Sequence, residues 1–236
     1  MNKKSIQPEC QHCQIRFKSV FCGLNEESLT KININKGCNV FKKGQLIFSQ
    51  GGFPHGLFCI NTGKIKISQI GDEGKEQIVR FAKQGDILGY RALLSGEKYF
   101  CSATAIEDAS ICFIPKDIFF SLITKDANLS MEVMKLLAHD LKNAENKITD
   151  IAQKPVRERM AEALLFLKET YGYENDGITI NVSLSREEIA NVVGTSRETV
   201  SRLLSEFNED HVVELTSKKI KILDPQKLIK IANFFD

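Results

Sequence analysis

Ser183 to Glu214 reads SLSREEIANVVGTSRETVSRLLSEFNEDHVVE, and its pattern decides how the C-terminal part of the chain folds. Ser185 stands three residues before Glu188, the spacing of a helix capping box. Ile189, Ala190 and Val193 give the first helix an apolar face, and Gly194 is placed to end it in a positive-φ turn. Thr195 or Ser196 caps a second helix, in which Val200, Leu203, Leu204 and Phe207 recur at helical spacing. Arg197, Glu198, Ser201 and Arg202 are left on the outer face near the start of that helix. Two short helices joined this way form a helix-turn-helix, which presents the N-terminal residues of its second helix to bases in the DNA major groove.

The chemistry of those residues suits base reading. Arginine donates two hydrogen bonds to guanine O6 and N7, glutamate accepts from cytosine N4, and serine contacts either kind of edge. The bland alternative is a solvated helix face with Glu198 completing a capping box from Thr195. The turn glycine and the paired caps argue against it. VVEL and TSKKIKIL then read as a two-stranded wing, whose Lys218, Lys219 and Lys221 are placed to meet phosphates. From Pro155 onward there are 11 Lys and Arg against 14 Asp and Glu, so any phosphate contact rests on the local face rather than on net charge.

The 236 residues suggest one large or two modest domains, and 42% hydrophobic with 26% charged residues is ordinary for a chain with a real core. No apolar run is long enough to span a bilayer, and MNKKSIQPEC lacks the apolar stretch of a signal peptide. These features point to the cytoplasm, where the seven cysteines would stay reduced. No P-loop, G-x-S-x-G or H-E-x-x-H motif is present, so an enzyme is not expected.

Along the chain, residues 1–24 form a cysteine-bearing leader. Residues 25–126 open with a short helix and continue as short β-rich runs separated by glycines, the pattern of a β-sandwich or barrel-like domain. Residues 127–154 hold a long helix in which Met134, Leu137, Leu141, Ala144, Ile148 and Ile151 are spaced 3, 4, 3, 4 and 3 apart. That narrow stripe, flanked by His139, Asp140, Lys142, Glu145 and Lys147, reads as a two-helix dimer seam. Pro155 breaks the helix and opens a C-terminal domain over 155–236.

Arg197-Glu198-Thr199-Val200 followed by Ser201-Arg202, with KKGQLIFSQGG, NTGKIKIS and KQGDILGYRALLS upstream, resembles the Crp/Fnr family of bacterial transcription regulators. The resemblance runs from about Cys10 to Ile231. It implies an α+β fold: an N-terminal β-roll or jelly roll similar to cyclic-nucleotide-binding domains, a long dimerisation helix and a C-terminal winged helix-turn-helix. It further implies a homodimer on double-stranded DNA, half-sites with a TGA core, and RNA polymerase as a partner. A sensor module working through protein contacts, without specific DNA binding, is the alternative. Cyclic nucleotide is not expected. Tyr90 stands where that branch of the family has its ribose-binding glutamate, and no arginine lies at Tyr99 to Cys101 to take the phosphate. Arg91 is the one tempting cation, and a surface or inter-domain salt bridge is its simpler role.

The cysteines leave several readings open. Cys10 and Cys13 form C-x2-C, with Cys22 eight residues further on, and Cys112 lies in a Glu107-x4-Cys-x-Ile-Pro setting that resembles the Fnr branch. There the equivalent cysteine is the fourth ligand of a [4Fe–4S] cluster. The resemblance therefore implies Cys10, Cys13, Cys22 and Cys112 as metal ligands. The gap before Cys22 is longer than the branch's five residues, which makes Cys38 a possible substitute. Zinc, thiol redox sensing, or small buried apolar roles on strands are the other readings.

Overall fold

Alternation along a strand sends successive side chains to opposite faces, and this separates the two cores of the N-terminal half. The computed structural model describes residues 8–233; residues 1–7 of the leader and 234–236 at the C-terminal end lie outside the described residues. The chain divides into two units, one running to Lys75 and including Val79–Leu141, the other made of Glu76–Ile78 and the chain from Lys142 onward.

The leader carries a 3-10 helix, Gln14–Lys18, and α1 spans Glu26–Asn35. Strands β1 (Gly37–Phe41), β2 (Leu46–Phe48), β3 (Gly56–Thr62), β4 (Ile65–Ile70), β5 (Glu76–Ala82) and β6 (Ile87–Leu88) follow. Then come α2 (Tyr90–Ser95), β7 (Ser102–Ala105), β8 (Ala109–Pro115), α3 (Lys116–Lys125) and α4 (Ala127–Gln153). The strands form two four-stranded sheets, β1-β8-β3-β6 and β2-β7-β4-β5. Ile60, Ile65, Ile67, Ala103, Ala105 and Ile111 fill the space between them. The opposite face of the first sheet, with Leu57 and Ile114, is covered by Phe21, Leu29, Ile32, Phe119, Leu129 and Val133. These are the residues of the leader and helices that a β-roll needs to close its outer face.

Helix α4 bears two stripes where the sequence suggests one. Met134, Leu141, Ile148 and Ile151 are exposed, and so is Ala144. Leu129, Val133, Leu136 and Leu137 pack onto the core of the first unit, so Leu137 is part-buried and serves that core. Asp140 lies on the packed side too. It is buried, which corrects its expected place as a solvated flank of the seam.

The second unit contains α5 (Val156–Tyr171), α6 (Arg186–Val193), α7 (Arg197–Glu209), the antiparallel pair β9 (Val213–Thr216) and β10 (Lys219–Ile222), and α8 (Pro225–Ala232). Met160, Leu164, Val193, Val200, Leu204 and Phe207 are among the most deeply buried side chains of these helices. Ser185 caps α6 by accepting from the Glu188 amide at 3.1 Å, and Glu188 accepts from the Ser185 amide at 2.8 Å. Gly194 ends that helix at φ 74°, a left-handed turn that glycine adopts without a Cβ penalty.

Candidate DNA-reading surface and cysteine cavity

Helix α7 is positioned by its own apolar face. With Val200, Leu203, Leu204 and Phe207 buried, Arg197, Glu198, Ser201 and Arg202 are forced outward, and all four are exposed. The N-cap is Ser196, which accepts from the Thr199 amide at 3.2 Å; Thr195 is half-buried in the turn. Glu198 therefore does not cap from Thr195. Its carboxyl is lowered by its own backbone N–H and by the Ser196 hydroxyl. Ser201 donates to the Arg197 carbonyl at 3.0 Å. Arg202 pairs with Glu206, and Glu206 also accepts from Arg157 at 2.7 Å. Lys219 pairs with Glu174 at 2.9 Å and Lys221 with Glu214 at 2.7 Å, while Lys218 forms no ion pair among the described residues. Of the wing lysines, Lys218 is the one that holds no carboxylate among the described residues.

Beside Tyr90 the first unit buries an anion of its own. Asp140 accepts from Tyr90, from Arg80 at 3.2 Å and from Arg91 at 2.7 Å. Arg91 thus makes a salt bridge within the first unit, and Arg80, which the sequence did not single out, joins it. Burial pulls the Asp140 carboxyl upward, but the charge of Arg80 and the hydrogen bonds from Tyr90 and Arg91 outweigh it and leave it lowered. Asp140→Ala should therefore strand two guanidiniums and cost the first unit about 2–4 kcal/mol. That is the lower part of the range for a broken buried pair, because half-exposed Arg91 regains water. A depressed carboxyl stabilises the fold above its unfolded value, about 3.9, and the contribution drains away as pH falls through the folded value. Urea midpoints of wild type and Asp140→Ala should differ clearly at pH 7 and converge in acid; equal midpoints at pH 7 would remove the role.

The thiols gather on the outer face of the first sheet. Cys38 on β1 is register partner of Cys112 on β8, and Cys112 is register partner of Cys59 on β3, so three cysteines form one row across adjacent strands. The leader comes down on this row. Cys10 donates its amide to Asn33 Oδ1 at 3.1 Å, and Lys36 Nζ donates to the Cys10 sulfur at 3.1 Å. Cys13 Sγ lies 4.0 Å from Asn61 Oδ1. Gly85, at φ 96°, lets the leader pass, since a Cβ there would lie 2.9 Å from the Lys18 carbonyl. The result is a cavity of about 70 Å³ whose lining includes Cys10, Cys13, Cys59, Cys112, Lys36 and Arg16.

Of the four expected ligands, Cys10, Cys13 and Cys112 meet at this cavity. Cys22 is exposed and outside its lining, and Cys38 is buried one strand beyond Cys112. The hydrogen bond from Cys112 holds the Cys38 thiol down at about 7 against burial, and the same contact pushes Cys112 up. Burial, then the neighbouring thiols, pushes Cys59 up. Cys59, Lys36 and Arg16 were not legible as site residues. The one available signal was the period-two placement of Cys59 with Leu57 on one face of a strand.

Comparison with known proteins matches these features. The cyclic nucleotide-binding domain family matches residues 38–126, and the Crp-like helix-turn-helix domain family matches residues 158–231. The fumarate and nitrate reduction regulatory protein of Vibrio cholerae is 30% identical over 225 residues, covering 94% of this chain and 90% of that protein. The anaerobic regulatory protein of Haemophilus influenzae is 30% identical over 224 residues, covering 94% and 87%. A CRP/FNR-family transcriptional regulator from Thermus thermophilus superposes with a TM-score of 0.72 at 25% identity, covering 84% of this chain and 99% of that one. With a β-roll, a long helix and a capped helix-turn-helix in the same order, and relatives matched over nearly their full length, the chain belongs to the Crp/Fnr family of DNA-binding transcription regulators.

Proposed function

We propose that this regulator works as a cytoplasmic homodimer that reads palindromic sites with TGA-containing halves, under the control of an oxygen-labile [4Fe–4S] cluster. The observation that carries the dimer is the exposed stripe Met134, Leu141, Ile148 and Ile151 on α4, between 47% and 68% exposed, on a helix whose other face is already satisfied. Large apolar side chains spaced 7, 7 and 3 apart, a heptad repeat, and left in water call for a second copy of the same helix. A two-fold dimer places two α7 helices on half-sites one turn of DNA apart. Arg197, Glu198, Ser201 and Arg202 read bases, Thr195, Ser196, Lys218 and Lys219 contact the backbone, and RNA polymerase is the partner that family membership implies. No catalytic role is proposed. Among the described residues no helix is long and apolar enough to cross a membrane, which suits a protein acting on DNA.

The cluster reading is supported by the donor set. Cys10, Cys13 and Cys112 face one cavity, as soft thiolate ligation of iron–sulfur clusters requires. Among the described residues no three His, Cys, Asp or Glu side chains converge on one point, so the support for the cluster is the donor set of the cavity lining. Lys36 brings a positive charge to the lining, and the buried Nε of Arg16, also in the lining, has no hydrogen-bond partner among the described residues. Both are suited to an anionic, sulfur-rich guest. Bound there, a cluster supplies oxygen-labile redox chemistry. The chain's residues shield the site and hold the leader to the sheet. The cysteine-free face of α7 reads DNA in either case, so the two halves of the proposal are tested separately. Selection from random DNA with anaerobically purified protein should return palindromes with TGA-containing halves, and their recovery should fall after exposure to air. Selection without any palindrome would sink the DNA reading; equal recovery in air would sink the oxygen control.

A further inference from the structure

We infer that the fourth thiolate of the cluster site is Cys59 on β3, and that Cys22, the third cysteine of the leader, is not a ligand. The inference rests on the proposed cluster reading and names its ligand set from this fold.

Three independent observations carry it. Cys59 lines the same cavity as Cys10, Cys13 and Cys112, whereas Cys22 does not. Strand register puts Cys59 opposite Cys112, so the two side chains share one face of the sheet at the separation of a cross-strand pair, roughly 5 Å between Cβ atoms. Cys13 reaches toward Asn61, which lies two residues from Cys59 on β3 and lines the same cavity. The leader thus lands on the part of the sheet that carries Cys59.

Cys22 is exposed and outside this lining, although its neighbour Phe21 is part of it. Phe21 and Leu24 on either side of it are buried in the first unit's core, at 5% and 7% exposure. Its carbonyl accepts from Arg16 Nη1 at 2.8 Å, which pins the backbone of the segment. Cys38 is the other candidate, but it lies beyond Cys112 and outside the lining.

Ligation replaces the thiol protons, which pass to solvent as iron–sulfur bonds form.

The test is reconstitution of the full chain without oxygen, using ferrous iron, sulfide and a thiol reductant. Iron and sulfide per chain and the charge-transfer absorbance are the readouts, and circular dichroism of each unloaded variant checks the fold. Wild type should hold about four iron and four sulfide per chain. Cys22→Ser should match it, and Cys59→Ser should lose the cluster. A chain with Cys22→Ser, Cys38→Ala and Cys101→Ala, keeping only Cys10, Cys13, Cys59 and Cys112, should still hold it, and this guards against a mere folding defect in Cys59→Ser. Loss of the cluster in Cys22→Ser or in the stripped chain, with native circular dichroism, overturns the inference while leaving the cluster reading intact. So does full loading of Cys59→Ser. A wild type that takes up no iron or sulfide ends the cluster reading itself and this ligand set with it.

Discussion

Ile148→Glu and Leu141→Glu should each sediment as monomers at concentrations where the wild-type protein is a dimer, and should shift operator DNA weakly or not at all. Both residues are exposed in the single chain, at 68% and 61%, so the substitutions disturb little in the protomer's own core. Across a two-fold axis each glutamate would face its own copy in the apolar seam, with no cation to pair it. An uncompensated charge buried at an interface costs on the order of 3 kcal/mol or more, which is at least about a hundredfold in the association constant. Specific binding suffers further, because a monomer engages a single half-site. Unchanged sedimentation of both variants would take the stripe out of the interface. Glutamate at His139, an exposed site off the stripe, is the matched control and should remain dimeric.

Arg202→Ala should weaken binding to the selected palindrome by about 1–3 kcal/mol per half-site, roughly fivefold to 150-fold for each, while binding to random DNA changes little. The residue projects from the first turns of α7, exposed, beside Glu198 and Ser201. In the free protein Glu206 holds its guanidinium, and Arg157 shares that carboxylate. Binding DNA would therefore exchange one charge-assisted pair for a bidentate contact to a base, leaving Glu206 still paired to Arg157. Arg202→Lys should not rescue specificity, because an ammonium lacks the planar fork that matches two acceptors on one guanine. Competition titrations at fixed salt, with the palindrome against random duplex, separate the two terms. An equal loss on both DNAs would make Arg202 a phosphate contact instead.

The helix-turn-helix was legible because its signals are local. Caps act over three residues, a helical face repeats every three to four, and Gly194 answers a backbone requirement at one position. The same locality makes Arg197, Glu198, Ser201 and Arg202 readable as an outer face before any tertiary contact is known. The exposed stripe of α4 was legible for this reason too. Its second stripe was not, since Leu129, Val133, Leu136 and Asp140 gain meaning only when the core of the first unit lies against them. Asp140 in particular looked like one more surface charge. Arg80 and Arg91, brought to it from β5 and α2, make it the anion at the centre of a buried pairing.

The cysteines divide along the same line. The sequence by itself determined that Cys10 and Cys13 stand in C-x2-C spacing and that Cys112 sits on a strand ending at a proline. Only the tertiary structure decided which thiols meet, because the meeting depends on strand register and on the path of the leader. Register aligns Cys38, Cys112 and Cys59 from strands distant in the chain, and Gly85 opens the passage that lets Cys10 and Cys13 descend on them. Cys22, close to that pair in sequence, is exposed and outside the lining, although its neighbour Phe21 belongs to it, because the path of the leader rather than sequence spacing sets which side chains face the cavity.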